Sequence, residues 1–389
     1  MDYSKFLSDK VQSIKPSGIR KFFDMLSTMK DVISLTVGQP DFPTPYHISN
    51  AAVESITKNK TYYTSNSGLI ELREGISDFL KRKYNLSYDA NGEIIVTVGG
   101  SEAIDMTLRA VLNPGDEVIV PEPCFVCYSP LIEIMGAKAV PLYTSVEDKF
   151  KVTPEKLLPL ITEKTKAIVL SYPNNPTGAI MTKEDLEAIC PILIENDILV
   201  LSDEIYSELT YGRAHVSIAS LPNMRERSIV VNGFSKAYAM TGWRLGYVCA
   251  PREIMSQILK LHQYGIMCAS TASQFAGVEA ITNGDDDVKF MTEQYNRRRT
   301  YAVKRLNEMG LECFEPEGAF YLFPRIDGFG LSSEEFCQKL LDEKRVAIVP
   351  GDAFGQGSGG FARISYAYSI EHITAALDRI EEFVKELKG

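Results

Sequence analysis

Between about residues 94 and 250, short β-branched runs alternate with longer amphipathic segments, and this alternation restricts the fold more than any other feature of the chain. The runs are IIVTV (94–98), EVIV (117–120), KAIVL (166–170), DILVL (197–201), SIVV (228–231) and LGYVC (245–249). They are continuous rather than alternating in polarity, as expected of strands covered on both faces of a parallel sheet. Strands and helices in turn imply an α/β fold, doubly wound around a mostly parallel sheet. SEAIDMTLRAVL, after the first run, carries Ala103, Ile104, Leu108, Val111 and Leu112 at helical spacing and is stopped by Pro114 and Gly115. Thr153 before Pro154, and Thr182 with Asp185, mark two further helix starts. From about residue 286 the chain changes character. A charge-rich helical stretch leads to the shorter strands AFYLF and ARISY and then to a Lys/Glu helix. Residues 42–280 are therefore expected to form a large domain, and residues 1–41 with 281–389 a smaller α+β domain.

At 389 residues the chain is long enough for two or three domains, and 45% hydrophobic with 24% charged residues is the composition of a globular core-forming protein. Lys+Arg 41 against Asp+Glu 51 leaves a net charge of −10, which argues against a nucleic-acid partner. Neither the N-terminal stretch nor short runs such as AIVL and ILVL have the length of a signal core or a membrane span, so no membrane association and a cytoplasmic location are expected. Seven scattered cysteines do not read as a disulfide framework. Cys124 and Cys127 form a C-x-x-C pair, but no second pair lies at finger spacing and His47, His215, His262 and His372 are dispersed, so no metal is expected. Gly355, Gly357 and Gly360 match G-x-G-x-x-G, yet ARISY follows where the dinucleotide motif needs a helix.

Three features fall where a doubly wound sheet binds ligands, beyond the carboxyl ends of its strands. Asp203 closes the run DILVLS and is followed by Glu204, Ile205 and Tyr206. The run SIVVN ends in Gly233-Phe234-Ser235-Lys236, and Arg244 follows in the glycine-flanked segment TGWRLG. Gly99-Gly100-Ser101-Glu102 turns a strand into a helix whose free N–H groups and dipole suit a phosphate. Taken singly, each has a bland alternative: a loop-capping carboxylate, a solvated lysine, an ordinary strand-to-helix turn. Together they meet the needs of pyridoxal 5′-phosphate, which wants an amine for its aldehyde (Lys236), a carboxylate for its ring nitrogen (Asp203) and an anion site for its phosphate (Ser101, Ser235, Arg244). Tyr206 is placed to donate to the ring oxygen.

The stretches SYPNNPTG (171–178), SDEIY (202–206) and NGFSKAYAMTGWRLGY (232–247) resemble the signature blocks of the fold type I, pyridoxal-phosphate-dependent class I aminotransferases. The resemblance runs from VGQPDFPTP (37–45) through YYTSNSGLIELREGI (62–76), VTVGGSEAI (96–104) and PGDEVIVPEPCFVCY (114–128) to EGAFYLFP (317–324) and FARISYA (361–367). Within the family the chain is similar to the aspartate, aromatic amino acid and N-acetyl-diaminopimelate enzymes. The resemblance implies a seven-stranded sheet, Lys236, Asp203 and Tyr206 as catalytic residues, and Gly100, Ser101, Glu102, Ser235 and Arg244 around the cofactor. It further implies that Asn175 meets the ring oxygen and the substrate, Phe125 stacks on the ring, Arg363 clamps the α-carboxylate and Gly38 lies beside it. Tyr63, with Tyr62 one residue of register away, resembles a tyrosine that reaches the phosphate of the other subunit, implying a homodimer with shared sites. Arg20, in SGIRKF, resembles a stretch that folds over the site mouth and is the candidate for a distal substrate carboxylate; Arg109, two turns into a helix, is expected to face solvent or another helix. Position 102 departs from the pattern, being Glu where many relatives carry Gln, and an inward-turned carboxylate there would oppose a phosphate. The activity implied is amino transfer from an L-amino acid (aromatic, acidic or N-acetyl-diaminopimelate-like) to a 2-oxo acid such as 2-oxoglutarate. A C–S β-lyase of the same fold and a non-catalytic regulatory domain are the alternatives.

Overall fold

The computed structural model describes residues 1–14, 29 and 31–389. Strand β1 (Ile33–Ser34) is followed by seven strands that build one sheet: β2 (Ile94–Thr97), β3 (Glu117–Glu122), β4 (Lys138–Tyr143), β5 (Thr165–Ser171), β6 (Leu199–Asp203), β7 (Ser228–Gly233) and β8 (Gly246–Cys249). Their order is β2-β8-β7-β6-β5-β3-β4. Neighbours are parallel except on either side of β8, which alone runs against the rest. The doubly wound, mostly parallel sheet expected from the apolar runs is present, with two differences. LGYVC supplies the antiparallel strand, and KAVPLY (138–143), which the hydrophobic runs do not single out, supplies edge strand β4.

The continuous runs are explained by the two faces they must cover. On β7, Ile229 and Val231 enter one core with Ile104, Leu108 and Ile258, while Val230 between them enters another with Leu72, Phe79 and Leu245. Successive side chains of a strand point to opposite faces, so a sheet wrapped on both sides needs an apolar residue at every position. The helix Gly99–Val111 buries Ala103, Ile104 and Leu108 as its spacing predicts. Thr182 and Asp185 form a reciprocal capping box at the head of the helix Lys183–Glu195. Thr153 caps nothing with its side chain, and the helix after it is a single turn, Pro154–Leu157.

The charge-rich stretch forms the helix Asp285–Glu308. Beyond it come β9 (Tyr321–Leu322), the helix Ser333–Lys344, β10 (Val346–Ala347), β11 (Val349–Pro350), β12 (Ala362–Ser365) and the helix Ile370–Leu387. Strands order as β11-β12-β9, antiparallel, and share a core of Leu306, Phe320, Phe336, Leu340, Ile364, Leu377 and Phe383. β1 pairs in parallel with β10, tying the N-terminal segment to these late elements. Gly355 to Gly360 run through one short 3-10 turn, Gln356–Ser358, into β12, so no dinucleotide-type helix follows them. Among the described residues no helix is long and apolar enough to cross a membrane.

One contact brings the sheet against the helix start that borders the site. A Cβ at Gly246 would lie 2.7 Å from the carbonyl carbon of Gly99 and 2.8 Å from the nitrogen of Gly100, both backbone atoms that cannot swing away. Gly246→Ala is therefore expected to cost about 1–3 kcal/mol, read as a lower urea midpoint. Gly242→Ala, where nothing lies within 4 Å, should leave the midpoint unchanged.

Candidate active site

Because β5, β6 and β7 run parallel side by side, their carboxyl ends deliver Ser171, Asp203 and, just past Gly233, Ser235 and Lys236 to one edge of the sheet. A cavity of about 330 Å³ opens there. Gly38, Gly100, Ser101, Phe125, Asn175, Asp203, Tyr206, Ser235, Lys236, Arg244 and Arg363 all line it, so eleven of the residues singled out from the sequence converge although they span more than 300 positions. Two do not: Glu102 is absent from the lining, and Tyr63 is 79% exposed on the surface. Arg20 lies outside the described residues. Arg109 pairs with Asp105 at 2.7 Å on a half-exposed surface, the solvent-facing placement expected of it.

Electrostatically the cavity is unusual for what its charges lack. Asp203 is buried, and its Oδ2 accepts from Tyr128 Oη at 2.6 Å while Oδ1 accepts from the Ile205 N–H at 3.2 Å. Burial pushes this carboxyl up, against those two hydrogen bonds. Among the described residues it has no ion-pair partner. Lys236 Nζ donates to the Gly38 carbonyl at 2.7 Å. Burial first, then the positive charges of Arg363 and Arg244, pull its ammonium down to about 8, with Asp203 opposing. The lysine is thus poised to lose its proton near neutrality. Arg363, also buried, donates to Asn175 Oδ1 at 2.9 Å and to the Thr36 carbonyl at 2.6 Å, over the ring of Tyr321. No carboxylate faces it among the described residues, and its Nε has no partner.

The candidate anion site combines the backbone of a helix start with the Arg244 guanidinium. Gly99 sits at φ 77°, where a Cβ would lie 2.5 Å from the Arg244 guanidinium, so only glycine lets that cation close on the helix start. Arg244 itself holds φ 50° and donates to the Thr241 carbonyl at 3.1 Å. A left-handed non-glycine residue beside a binding site is strain of the kind that surrounding structure maintains for function. Glu102 raises no conflict with an anion, because its carboxylate is engaged by the Val98 N–H and by His262.

Two residues that the sequence does not expose belong to the site. Tyr128 orients Asp203 by donating its hydroxyl proton to it, and its oxygen accepts from the Ser171 hydroxyl, 2.9 Å away. Tyr321 meets Tyr206, hydroxyl to hydroxyl, at 2.7 Å and packs against Gly38, where a Cβ would fall 2.0 Å from its oxygen. The signals present were only their places in FVCYSP and AFYLF. The C-x-x-C pair beside Tyr128 is not poised for thiolate chemistry: burial pushes both the Cys124 and Cys127 thiols up.

Comparison with known proteins places this geometry in a family. Residues 30–380 match the model for aminotransferase class I and II. An aspartate aminotransferase of Pyrococcus abyssi is 46% identical, the match covering 98% of this chain and 99% of that one. A Bacillus subtilis protein named probable N-acetyl-LL-diaminopimelate aminotransferase is 47% identical over 97% of this chain and 95% of its own. Among solved structures, the aromatic aminotransferase of Pyrococcus horikoshii superposes with a TM-score of 0.91 at 45% identity, covering 94% of this chain and 99% of that chain.

The lowered Lys236 value has a direct consequence. Below about pH 8 the group is an unreactive ammonium, and above it a free amine. In ligand-free protein, cyanate modification of Lys236 followed by peptide mass spectrometry is expected to rise with a midpoint near pH 8. A midpoint at the ordinary lysine value of 10.5 would contradict the electrostatic reading.

Proposed function

The chain belongs to the class I and II aminotransferases and is an aminotransferase; from that premise we propose that it uses pyridoxal 5′-phosphate to move an amino group from an L-amino acid to 2-oxoglutarate. One observation carries the reading. A buried carboxylate without an ion-pair partner among the described residues, a lysine titrating near 8, and an arginine beside a glycine-built helix start line a single cavity. Buried charges are ordinarily paired. A protonated ring nitrogen would complete Asp203, an aldehyde would engage Lys236, and a phosphate would complete Arg244.

In this reading Gly100, Ser101, Ser235 and Arg244 hold the phosphate, Phe125 covers one face of the ring, and Asn175 and Tyr206 hold the ring oxygen. When bound, the cofactor supplies an electron sink for the electrons released at the substrate Cα. The protein does the rest. Asp203, held by the Tyr128 hydroxyl, would face the ring nitrogen and favour its protonated form. Arg363 receives the substrate α-carboxylate through a planar fork whose Nε has no partner among the described residues, and Asn175, which it already touches, fixes its plane. Lys236 Nζ takes the proton from Cα and returns it on the other side of the transfer; an amine with a value near 8 does both at little cost. Tyr321 restrains Tyr206.

Relatives named for aspartate, aromatic and N-acetyl-LL-diaminopimelate substrates support a donor that is acidic, aromatic or N-acetyl-diaminopimelate-like. A Thermus thermophilus aspartate aminotransferase, 37% identical, was solved with maleate, a dicarboxylate. For this chain we assign the distal carboxylate to Arg20. The exposure of Tyr63 and Tyr62 supports their pairing with a second copy, and a homodimer with shared sites is part of the proposal. So is the division into a large domain, 42–280, and a smaller one from 1–41 and 281–389.

The test is a panel of donors (glutamate, aspartate, phenylalanine, tyrosine, N-acetyl-diaminopimelate) against 2-oxoglutarate, for wild type, Lys236→Ala and Arg20→Ala. Lys236→Ala should lose at least about 10²-fold in kcat and form no borohydride-reducible adduct with the cofactor. Arg20→Ala should lose kcat/KM for acidic donors and keep it for phenylalanine. Pyruvate and ammonia from a donor alone would point instead to β-elimination.

Shared sites predict complementation. Tyr63→Ala and Lys236→Ala subunits, each nearly inactive, should regain activity when mixed under conditions that exchange subunits, since half of each hybrid's sites would be intact. No recovery despite hybrid formation would place Tyr63 outside the site.

A further inference from the structure

Glu102 and His262 form a hydrogen-bonded pair beside the anion site that no step above uses. Glu102 stands in the first turn of the helix Gly99–Val111, where the dipole and free N–H groups attract a carboxylate as readily as a phosphate. Left free, its side chain would compete with the cofactor for the same donors. It is not free. One oxygen accepts the Val98 N–H, and the other lies 2.8 Å from Nδ1 of His262. His262 belongs to a different helix, Arg252–Gly265, and is completely buried. Its carbonyl anchors the turn after that helix by accepting from the N–H groups of Ile266 at 2.9 Å and Met267 at 3.0 Å.

The ring's other nitrogen, Nε2, has no partner among the described residues. A buried N–H without an acceptor is costly, so the favoured form is the neutral ring with its proton on Nδ1, donated to the carboxylate. Glu102 is thereby held on the far side of the helix start. Gly100 and Ser101, just before it, line the cavity, and it does not.

We infer that His262 is a positioning residue for the cofactor phosphate: it holds Glu102 on the Val98 N–H and away from the anion that the helix start receives. The inference rests on the pyridoxal-phosphate reading above. It concerns phosphate binding alone, so its signature is the ratio of affinities for pyridoxal 5′-phosphate and for pyridoxal, which lacks the phosphate.

Cofactor-free wild type, His262→Leu, His262→Gln, Glu102→Gln and the double variant His262→Leu/Glu102→Gln would be titrated with both compounds by absorbance, and with inorganic phosphate as competitor. His262→Leu should weaken pyridoxal 5′-phosphate about tenfold and leave pyridoxal unchanged. Glu102→Gln keeps an acceptor for Val98 and drops the charge, so it should cost less than about threefold, and it should restore most of the affinity lost in His262→Leu. That non-additivity marks a coupled pair. His262→Gln, retaining a donor, should stay near wild type. If His262→Leu does not fold, His262→Phe, which also removes the ring donor while filling the buried position, carries the same test with and without Glu102→Gln. Equal losses for both compounds, or purely additive effects in the double variant, would overturn the inference. Wild type that bound pyridoxal but gained nothing from its phosphate would overturn it too. Wild type that bound neither would instead overturn the cofactor reading, and this inference with it.

Discussion

Among the described residues three cations, Lys236, Arg244 and Arg363, share one cavity with a single buried carboxylate, Asp203, and that imbalance governs the site. Burial disfavours each charge and the neighbouring guanidiniums add repulsion, so the softest of the three, the lysine, holds its proton less tightly, with its value drawn down to about 8. The two guanidiniums keep their protons. The remaining positive charge is directed by hydrogen bonds to backbone carbonyls and an amide oxygen rather than cancelled by carboxylates. A cavity left in this state favours doubly anionic occupants.

Holding such a cavity together falls to a short N-terminal segment. β1 pairs with β10, the Leu35 carbonyl accepts from the Ser365 N–H, the Thr36 carbonyl accepts from Arg363, and the Gly38 carbonyl accepts from Lys236. Within six residues the chain passes from the strand beside the late elements to the lysine at the edge of the large sheet. Beyond it, Asp41 pairs with Arg298 at 2.7 Å, and that guanidinium lies over the rings of Phe42 and Tyr295. The segment therefore couples the C-terminal core to the reactive amine through backbone oxygens, which no side-chain substitution removes directly.

How much of this was legible followed from range. The sheet was readable because full burial of a parallel strand forces a continuous apolar run, and Asp203 and Lys236 were readable because they directly follow such runs. β4 escaped because it is an edge strand interrupted by Pro141 and mostly half-buried, so nothing compels it to be continuously apolar. The reversed direction of β8 escaped because LGYVC would be equally apolar either way round. Arg363, Phe125 and Asn175 were visible only through family resemblance. Tyr128 lies 75 positions from the Asp203 it orients, and His262 lies 160 from Glu102. Spacing along the chain carries no trace of such pairings, which only the packed fold creates.

Gly38 shows how such packing limits what the site can become. With the Tyr321 hydroxyl where a Cβ would be and its own carbonyl committed to Lys236, the position accepts no side chain, so that wall of the cavity is closed to variation. Val37 next to it also lines the cavity but is held through its backbone N–H, by Tyr368 Oη at 3.3 Å, which leaves its side chain without any hydrogen-bonding duty. A lineage drifting toward bulkier or smaller substrates can re-cut the mouth at position 37 while position 38 stays silent, and descendants of this chain would diverge in diet along one rim of the pocket only.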